Sequence, residues 1–449
     1  MVRCGEIGIF EEVFVQEFPG PEARRILSEN ATYYAETTVG SRIVVHRGDG
    51  ATVTDVDGNK FYDLHCDASV NNLGRNNARV ANAIIRQLRT GNFFSEHHNA
   101  PHVKAVELSK MLSEKSPVPK PAKIFLSNSG TEANEAARKI CRAHRVKNKE
   151  AHRTKAVYFT NGFAGRTKGV IAGTSSKPER QRDPFWDHCD KKDSIYIPYP
   201  VLWDFDETLS AFKKIDLASV DRVQIELSCQ GEGGIIPANG YAVSCMRQKA
   251  KEAGVVWIVD AIQCGMGRDG SLFGCETLFT GAGPAIEPDI LTLGKALGGG
   301  LPIGATIFRS DLNFEPGQHS NTFGGGPLVA SAALAAFSQL EHMVISGMVK
   351  TIESILGGGL LRIWADNPGV IAEEPRGRGA MWAVEFVSED VRNRIIEMGE
   401  DLVLQHDAGL RLLGAGRKSI RFMPPFTITR EELHEVLYLF EQVVVQYRQ

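Results

Sequence analysis

From residue 120 onward, short apolar or mixed segments alternate with spans of helical periodicity. Strands separated by helices imply a mostly parallel sheet with helices on both faces. In such sheets ligands bind beyond the carboxyl ends of the strands, so chemistry is expected at the residues that follow each strand. The predicted strands are residues 123–126, 156–159, 194–197, 223–227, 255–259 and 290–293.

The chain of 449 residues is long enough for two domains. We predict a large α/β domain over residues 76–328 and a smaller α/β domain over residues 329–449. Residues 1–75 are predicted to contribute an N-terminal arm and part of the small domain, including a hairpin whose turn is Asp57-Gly58-Asn59. Arms of this kind often pack on a partner subunit.

Bulk composition points to a protein that acts on small molecules. The formal charge of -3 is spread without long blocks of one sign, which argues against nucleic acid or an anionic membrane as a partner. The eight cysteines lack zinc-like spacing, so we predict no metal site and reduced thiols in a cytoplasmic protein. We also predict no signal peptide and no membrane span.

The last predicted strand delivers Lys295 into the glycine-rich turn Gly294-Lys295-Ala296-Leu297-Gly298-Gly299-Gly300. An amine is a nucleophile only when it is deprotonated, and desolvation can lower the pKa of a lysine enough for a Schiff base with an aldehyde cofactor. Glycines let another group approach the backbone closely. Taken alone, a lysine in a loop is more commonly a solvated surface charge.

Two other strand ends carry groups suited to a phosphate and a planar ring. Ser129, Gly130 and Thr131 open a helix, where backbone N–H groups and the helix dipole favour an anion; the alternative is a capping box formed by Ser129 with Glu132. Phe163 stands among glycines, where an aromatic side chain can lie against a planar ring or be part of the core.

Asp260 follows the most apolar strand of the chain, and a buried carboxylate needs a partner. A protonated heteroaromatic nitrogen would be one, and Gln263 could reach the same ligand. A phosphate cradle, a ring stacker, a buried aspartate and a lysine are together what pyridoxal 5'-phosphate (PLP) requires. The sequence therefore predicts a PLP site.

With these motifs the sequence resembles the class III aminotransferases from about residue 40 to about residue 430. These are PLP enzymes of fold type I and include the 4-aminobutyrate and ornithine aminotransferases. The resemblance implies a mostly parallel seven-stranded sheet with helices on both faces, plus a smaller α/β domain. It also implies two catalytic residues: Lys295 forms the Schiff base, and Asp260 contacts the ring nitrogen. The remaining cofactor contacts implied by the resemblance are Ser129, Gly130, Thr131, Phe163, Glu226, Gln263 and Thr322.

The family resemblance extends to partner and substrate. Thr322 resembles the threonine that reaches the phosphate of the neighbouring subunit, which implies a homodimer with shared active sites and leaves open whether dimers pair into a tetramer. Arg421 resembles the arginine that binds the substrate α-carboxylate, Glu232 resembles its neutralising partner, and Arg166 stands where 4-aminobutyrate enzymes bind the distal carboxylate. Ala164 and Ala261 depart from the usual family residues beside the site.

The predicted function is transfer of an amino group from an amino acid or ω-amine, such as 4-aminobutyrate, to a keto acid such as 2-oxoglutarate. The alternative within the family is an amino-acid racemase or epimerase. Family racemases have an aspartate near the position of Glu232, so the glutamate favours transamination. A non-catalytic binding module would have lost Lys295 or Asp260, and both are present.

Overall fold

The computed structural model describes residues 17–37, 40–92, 100–186, 188–279 and 286–449. Residues 1–16 of the predicted arm lie outside this part of the chain. The helices are α1 (Pro21–Tyr33), α2 (Cys66–Ser69), α3 (Ala78–Leu88), α4 (Val103–Lys115), α5 (Gly130–Lys147), α6 (Pro178–Gln181), α7 (His188–Asp193), α8 (Asp206–Lys213), α9 (Gly240–Glu252), α10 (Pro327–Ile345), α11 (Met348–Asp366), α12 (Glu389–Asp401) and α13 (Arg430–Arg448).

The strands fall into four sheets. They are β1 (Val45–Asp49), β2 (Thr52–Asp55), β3 (Lys60–Asp63), β4 (Ala122–Ser127), β5 (Lys155–Phe159), β6 (Ser194–Ile197), β7 (Val220–Ile225), β8 (Cys229–Gln230), β9 (Ile236–Pro237), β10 (Val256–Asp260), β11 (Ile290–Leu293), β12 (Gly304–Arg309), β13 (Ile371–Arg378), β14 (Met381–Phe386), β15 (Gly409–Arg411), β16 (Leu413–Ala415) and β17 (Ser419–Phe422).

The main sheet has seven strands in the order β4-β12-β11-β10-β7-β5-β6. Neighbours from β11 to β6 run parallel, whereas β12 is antiparallel to both β11 and β4. The predicted fold class is therefore confirmed. Because only β12 is reversed, the carboxyl ends of the other six strands meet at one edge of the sheet.

Burial explains why these segments are strands and where the sequence prediction missed. Strands β7, β10 and β11 are buried along their whole length, as expected for parallel strands covered on both faces. The predicted strand over residues 223–227 was wrong at its end, because β7 stops at Ile225 and leaves Glu226 beyond the sheet. Strand β12 was not predicted, since its glycine-rich and proline-containing approach resembles a loop.

Helix α10 bears on the prediction that the chain has no membrane span. Among the described residues it is the one helix long and apolar enough to cross a membrane by length and composition. In the fold it packs against α3, α4 and α11, and Ala330, Ala333 and Phe337 on it are fully buried. These contacts are those of a core helix.

The smaller sheets combine distant parts of the chain. Sheet β1-β2-β3-β15 joins the predicted hairpin to a strand near the C-terminus, with β15 parallel to β3. The other four-stranded sheet has the order β13-β14-β17-β16 and carries Arg421 on β17. Helix α11, which the sequence did not predict, packs on both β13 and α13.

Candidate active site

Lys295 lies just beyond the carboxyl end of β11, in a turn of 3-10 helix from Lys295 to Gly298. Its backbone has φ +47°, a left-handed conformation that non-glycine residues rarely adopt and that stores strain. Desolvation lowers the pKa of its amine to about 8, and the neighbouring Arg421 acts in the same direction. The structure therefore holds this lysine closer to its neutral, nucleophilic form than a surface lysine.

Asp260 is the last residue of β10 and lies beside Thr292 of β11. Its side chain is almost completely buried and accepts hydrogen bonds from Nδ2 of Asn134 at 2.6 Å and from the amide of Ile262 at 3.1 Å. Burial raises the pKa of Asp260 to about 6, although the bond from Asn134 and the charge of Lys295 oppose that rise. Its carboxylate is thus suited to a cationic partner.

Glu226 links the loop that carries Phe163 to the loop that carries Gly231. Its carboxylate accepts the backbone N–H of Phe163 at 2.8 Å and that of Gly231 at 3.1 Å. Burial, followed by repulsion from Asp260, raises the pKa of Glu226 to about 8. Phe163, Glu226 and Asp260 line one narrow cavity.

The turn at Ser129, Gly130 and Thr131 opens helix α5. The Ser129 hydroxyl accepts the Glu132 backbone N–H at 3.3 Å, so the capping interpretation is correct for this side chain. The Glu132 carboxylate instead accepts the amide of Asn128 at 2.7 Å. The first amides of a helix have no intrahelical acceptor, so capping still leaves donors for an anion.

Glu232 and Arg421 form an ion pair across the site. Nη1 of Arg421 donates to Glu232 Oε1 at 2.8 Å and Nη2 donates to Oε2 at 3.3 Å. Nε2 of Gln263 donates to the same carboxylate at 3.3 Å. Burial would raise the pKa of Glu232, but the Arg421 guanidinium outweighs it and holds that pKa down to about 2.

The loop that carries Glu232 is tied to the sheet β13-β14-β17-β16. Nε of Arg376 donates to the carbonyl of Gly234 at 3.2 Å, and the amide of Gly416 donates to the carbonyl of Glu232 at 2.9 Å. Nη2 of Arg376 donates to the carboxylate of Glu385 at 2.7 Å, which fixes the guanidinium. Arg376 was not predicted as a site residue.

Two predicted site residues stand apart from this cluster. Arg166 is exposed, and its guanidinium carbon lies 5.5 Å from the centroid of the Phe163 ring. Thr322 is exposed in a loop that Asn321 attaches to the end of β4, through a 2.9 Å bond from its Nδ2 to the carbonyl of Leu126. Within the chain these positions flank the site rather than complete it.

Asn134 and Gln224 were also missed by sequence reasoning. Asn134 donates directly to Asp260, and the side chain of Gln224 also favours the charged form of the same carboxylate. The available signal was an asparagine placed on the same helix face as Ala133 and Ala137, which are fully buried. A polar residue on a buried helix face requires a polar partner.

The residues present fit PLP. A Cβ on Gly130 would lie 2.8 Å from Ile262, so glycine lets the start of α5, with its free backbone amides, pack closely against the segment after β10. Within the described residues, the buried Oε1 of Gln263 has no hydrogen-bond partner and can accept from a ligand hydroxyl. The carboxylate of Asp260 and the amine of Lys295 supply the two remaining requirements of the cofactor.

Comparison with known proteins agrees with this geometry. The sequence profile of the class III aminotransferases matches residues 33–444. The mitochondrial acetylornithine aminotransferase of Candida glabrata is 31% identical over 94% of this chain and 95% of its own length. The acetylornithine aminotransferase of Thermosynechococcus vestitus is 33% identical over 88% of this chain and 91% of its own length.

Solved structures of aminotransferases share the fold of this chain. The ornithine aminotransferase of Toxoplasma gondii matches with a TM-score of 0.82 at 25% identity, covering 95% of this chain and 96% of that one. The acetylornithine aminotransferase of Elizabethkingia anophelis shares the fold with a TM-score of 0.77, covering 94% and 99%. On the family match and the relatives above, the chain belongs to the class III aminotransferases, which are PLP-dependent enzymes.

Proposed function

We propose that this aminotransferase takes the amino group from the far end of an ornithine-type donor and passes it to a keto acid such as 2-oxoglutarate. N-acetylornithine and ornithine are the first candidates, because the relatives are acetylornithine and ornithine aminotransferases, and 4-aminobutyrate is the next. The observation that carries the proposal is the closed ion pair between Glu232 and Arg421.

A donor that reacts through an ω-amine brings no carboxylate to the reacting carbon. Arg421 is almost completely buried, and a buried guanidinium without a partner is strongly unfavourable. Glu232 supplies the missing charge while such a donor reacts. A keto acid with a carboxylate beside its carbonyl can then replace Glu232 as the bidentate partner of Arg421.

The position of Arg166 supports a donor with a carboxylate at its far end. Arg166 lies against Phe163 at the border of the site and is exposed enough to meet an arriving anion. An amino acid that enters with its ω-amine toward Lys295 would direct its carboxylate away from the buried Arg421. Two arginines at different depths thus suit two different orientations of substrate.

The side chains of this chain have separable roles in the proposed reaction. Bound PLP supplies an aldehyde that condenses with amines and a ring that withdraws electrons from the substrate carbon. Lys295 would be its covalent attachment point and would move a proton at the reacting carbon. Asp260 would stabilise positive charge on the ring nitrogen, Phe163 would pack on the ring, and the Ser129 to Thr131 turn would bind the phosphate.

A homodimer is part of the proposal. Thr322 and Phe323 are exposed beside the end of β4, where a partner's phosphate site could receive Thr322. Exposed apolar side chains also occur on α3 and α4, which both pack on α10, at Ile85, Val103 and Val106. A second copy that covered these residues would remove apolar surface from water.

A donor panel tests the proposal. N-acetylornithine, ornithine, 4-aminobutyrate, L-glutamate and D-amino acids are each supplied with 2-oxoglutarate or pyruvate, and kcat/KM is measured for every pair. We expect the highest value for an ω-amine with 2-oxoglutarate. Higher values for α-amino donors than for every ω-amine would refute the donor assignment, and inversion of an amino acid without transfer would favour a racemase.

A replacement of the lysine tests the site. Lys295→Ala is expected to abolish covalent capture of PLP and turnover, whereas Lys191→Ala, a lysine on α7, serves as the control. Retention of both properties by the first variant would remove Lys295 from the mechanism.

A further inference from the structure

Asn134 connects three elements around Asp260. It lies on α5 with 1% of its surface exposed. Its Nδ2 donates to Asp260 Oδ2 at 2.6 Å and to the carbonyl of Ala164 at 2.9 Å. Its Oδ1 accepts the hydroxyl of Thr292 at 2.9 Å. All three hydrogen bonds are buried, so each constrains the orientation of the amide.

The amide can serve Asp260 in only one of its two orientations. If it were reversed, Oδ1 would face both the carboxylate of Asp260 and the carbonyl of Ala164, and three acceptors would meet without a proton. The two acceptors therefore set the orientation of the amide, and the Thr292 hydroxyl donates to Oδ1 and helps to hold the amide in place. Thr292 is fully buried and is the direct β11 neighbour of Asp260, which sets this distance through the sheet register.

The surroundings of Asp260 show why one hydrogen bond matters. Burial is the largest influence and disfavours the charged carboxylate, and Glu226 adds a second negative charge nearby. The amide of Ile262, the side chain of Gln224 and the charge of Lys295 favour the charged form. Asn134 is the strongest of these favourable influences.

We propose that Asn134 is a positioning residue that keeps Asp260 ionised and aimed at the cofactor, and that Thr292 supports it by donating to the oxygen of the Asn134 amide. The inference rests on the proposed role of Asp260 as the partner of the ring nitrogen. Asn134 touches neither the ring nor the substrate in this assignment, and it acts only through Asp260.

The test uses the full chain before and after removal of PLP. Asn134→Leu keeps the side-chain size and removes both donors, and Thr292→Val keeps the shape and removes the hydroxyl. Thr306→Val is a matched control, because Thr306 pairs with Thr292 in the sheet, is equally buried and donates to the carbonyl of Ala133 on the same helix. It has no bond to the Asn134 amide among the described residues.

The first readout is the component of the infrared carboxylic-acid band of the cofactor-free chain that Asp260→Asn removes. We expect the midpoint of this band to rise by about one pH unit in Asn134→Leu, since a hydrogen bond to a charged group is lost. In Thr292→Val we expect a smaller rise, because the Asn134 amide loses the donor to its oxygen but keeps its bond to Asp260. Thr306→Val should leave it unchanged. An unchanged midpoint in Thr292→Val, or an equal rise in Thr306→Val, would overturn the inference.

The second readout is the dissociation constant of PLP, measured by equilibrium titration. We expect Asn134→Leu to weaken binding about tenfold, Thr292→Val to weaken it by a smaller factor and Thr292→Ser to restore it. If Asp260→Asn does not weaken PLP binding, the proposed role of Asp260 fails. If Asp260→Asn weakens binding and Thr292→Val does not, only the positioning inference fails. Because Thr292→Val tests the network without Asn134→Leu, a misfolded asparagine variant does not decide the outcome.

Discussion

Replacing Glu232 by glutamine removes the charge that faces Arg421 and keeps the size of the side chain. The wild-type carboxylate makes two bonds to the guanidinium, so the variant retains one acceptor oxygen and loses the electrostatic part of the pair. If the pair balances Arg421 while an ω-amine reacts, the variant should lose that balance. Keto acids, by contrast, should no longer have to displace a competing carboxylate.

The size of the effect follows from the pKa of Glu232. That pKa is lowered from 4.5 to about 2, mainly by Arg421 acting against burial. At about 1.4 kcal/mol per pH unit, the difference corresponds to about 3 kcal/mol. Glu232 is 24% exposed and glutamine keeps one hydrogen bond, so we expect about half of this amount, or roughly tenfold in rate or affinity.

Steady-state kinetics of both half-reactions measure the result. In Glu232→Gln we expect KM for 2-oxoglutarate to fall about tenfold and kcat/KM for the ω-amine donor to fall by a similar factor. Glu400→Gln is the control, because it also removes the carboxylate of a 2.8 Å ion pair, with Arg42, outside the site. Equal behaviour of the two variants, or no change in either constant, would refute the reasoning.

Three further predictions test separate parts of the structure. Arg376→Met should raise KM for both substrates several-fold by releasing the loop that bears Glu232. An unchanged KM would show that the bond from Arg376 to this loop is unimportant for substrate binding. The rate of covalent PLP capture by the cofactor-free chain should rise nearly tenfold per pH unit and level off above a pH of about 8, because Lys295 becomes neutral there. Stopped-flow absorbance measures this rate, and a rate that does not change with pH would contradict the prediction. Gly359→Ala should lower the free energy of unfolding in urea by about 1–3 kcal/mol, because its Cβ would lie 2.3 Å from Leu437. Gly358→Ala, whose Cβ would have nothing within 4 Å, should raise that free energy by up to about 1 kcal/mol.

The catalytic positions were predictable because each combines a buried strand with a polar residue at its end. Lys295 follows β11 and Asp260 ends β10, as the apolar runs before them indicated. The pairing of Glu232 with Arg421 joins residues 189 positions apart. Periodicity carries no information on such a contact, so it came only from the family resemblance.

Helices α11 and α2 could not be predicted from the sequence, and the structure shows the physical reasons. Helix α11 contains three consecutive glycines, which lower helix propensity, yet Gly357 and Gly359 are needed for close contact with Trp382 and Leu437. Helix α2 is a left-handed turn, since Cys66 to Ser69 all have positive φ. No non-glycine sequence favours that conformation locally, so tertiary contacts must maintain it.

The source of the transferred nitrogen tests the central claim most directly. Ornithine carrying a heavy nitrogen isotope either in its side-chain amine or in its α-amine is incubated with the wild-type enzyme and 2-oxoglutarate, and the glutamate formed is analysed by mass spectrometry. The closed pair between Glu232 and Arg421 predicts label in glutamate only from the side-chain amine. Label arriving from the α-amine would contradict the account.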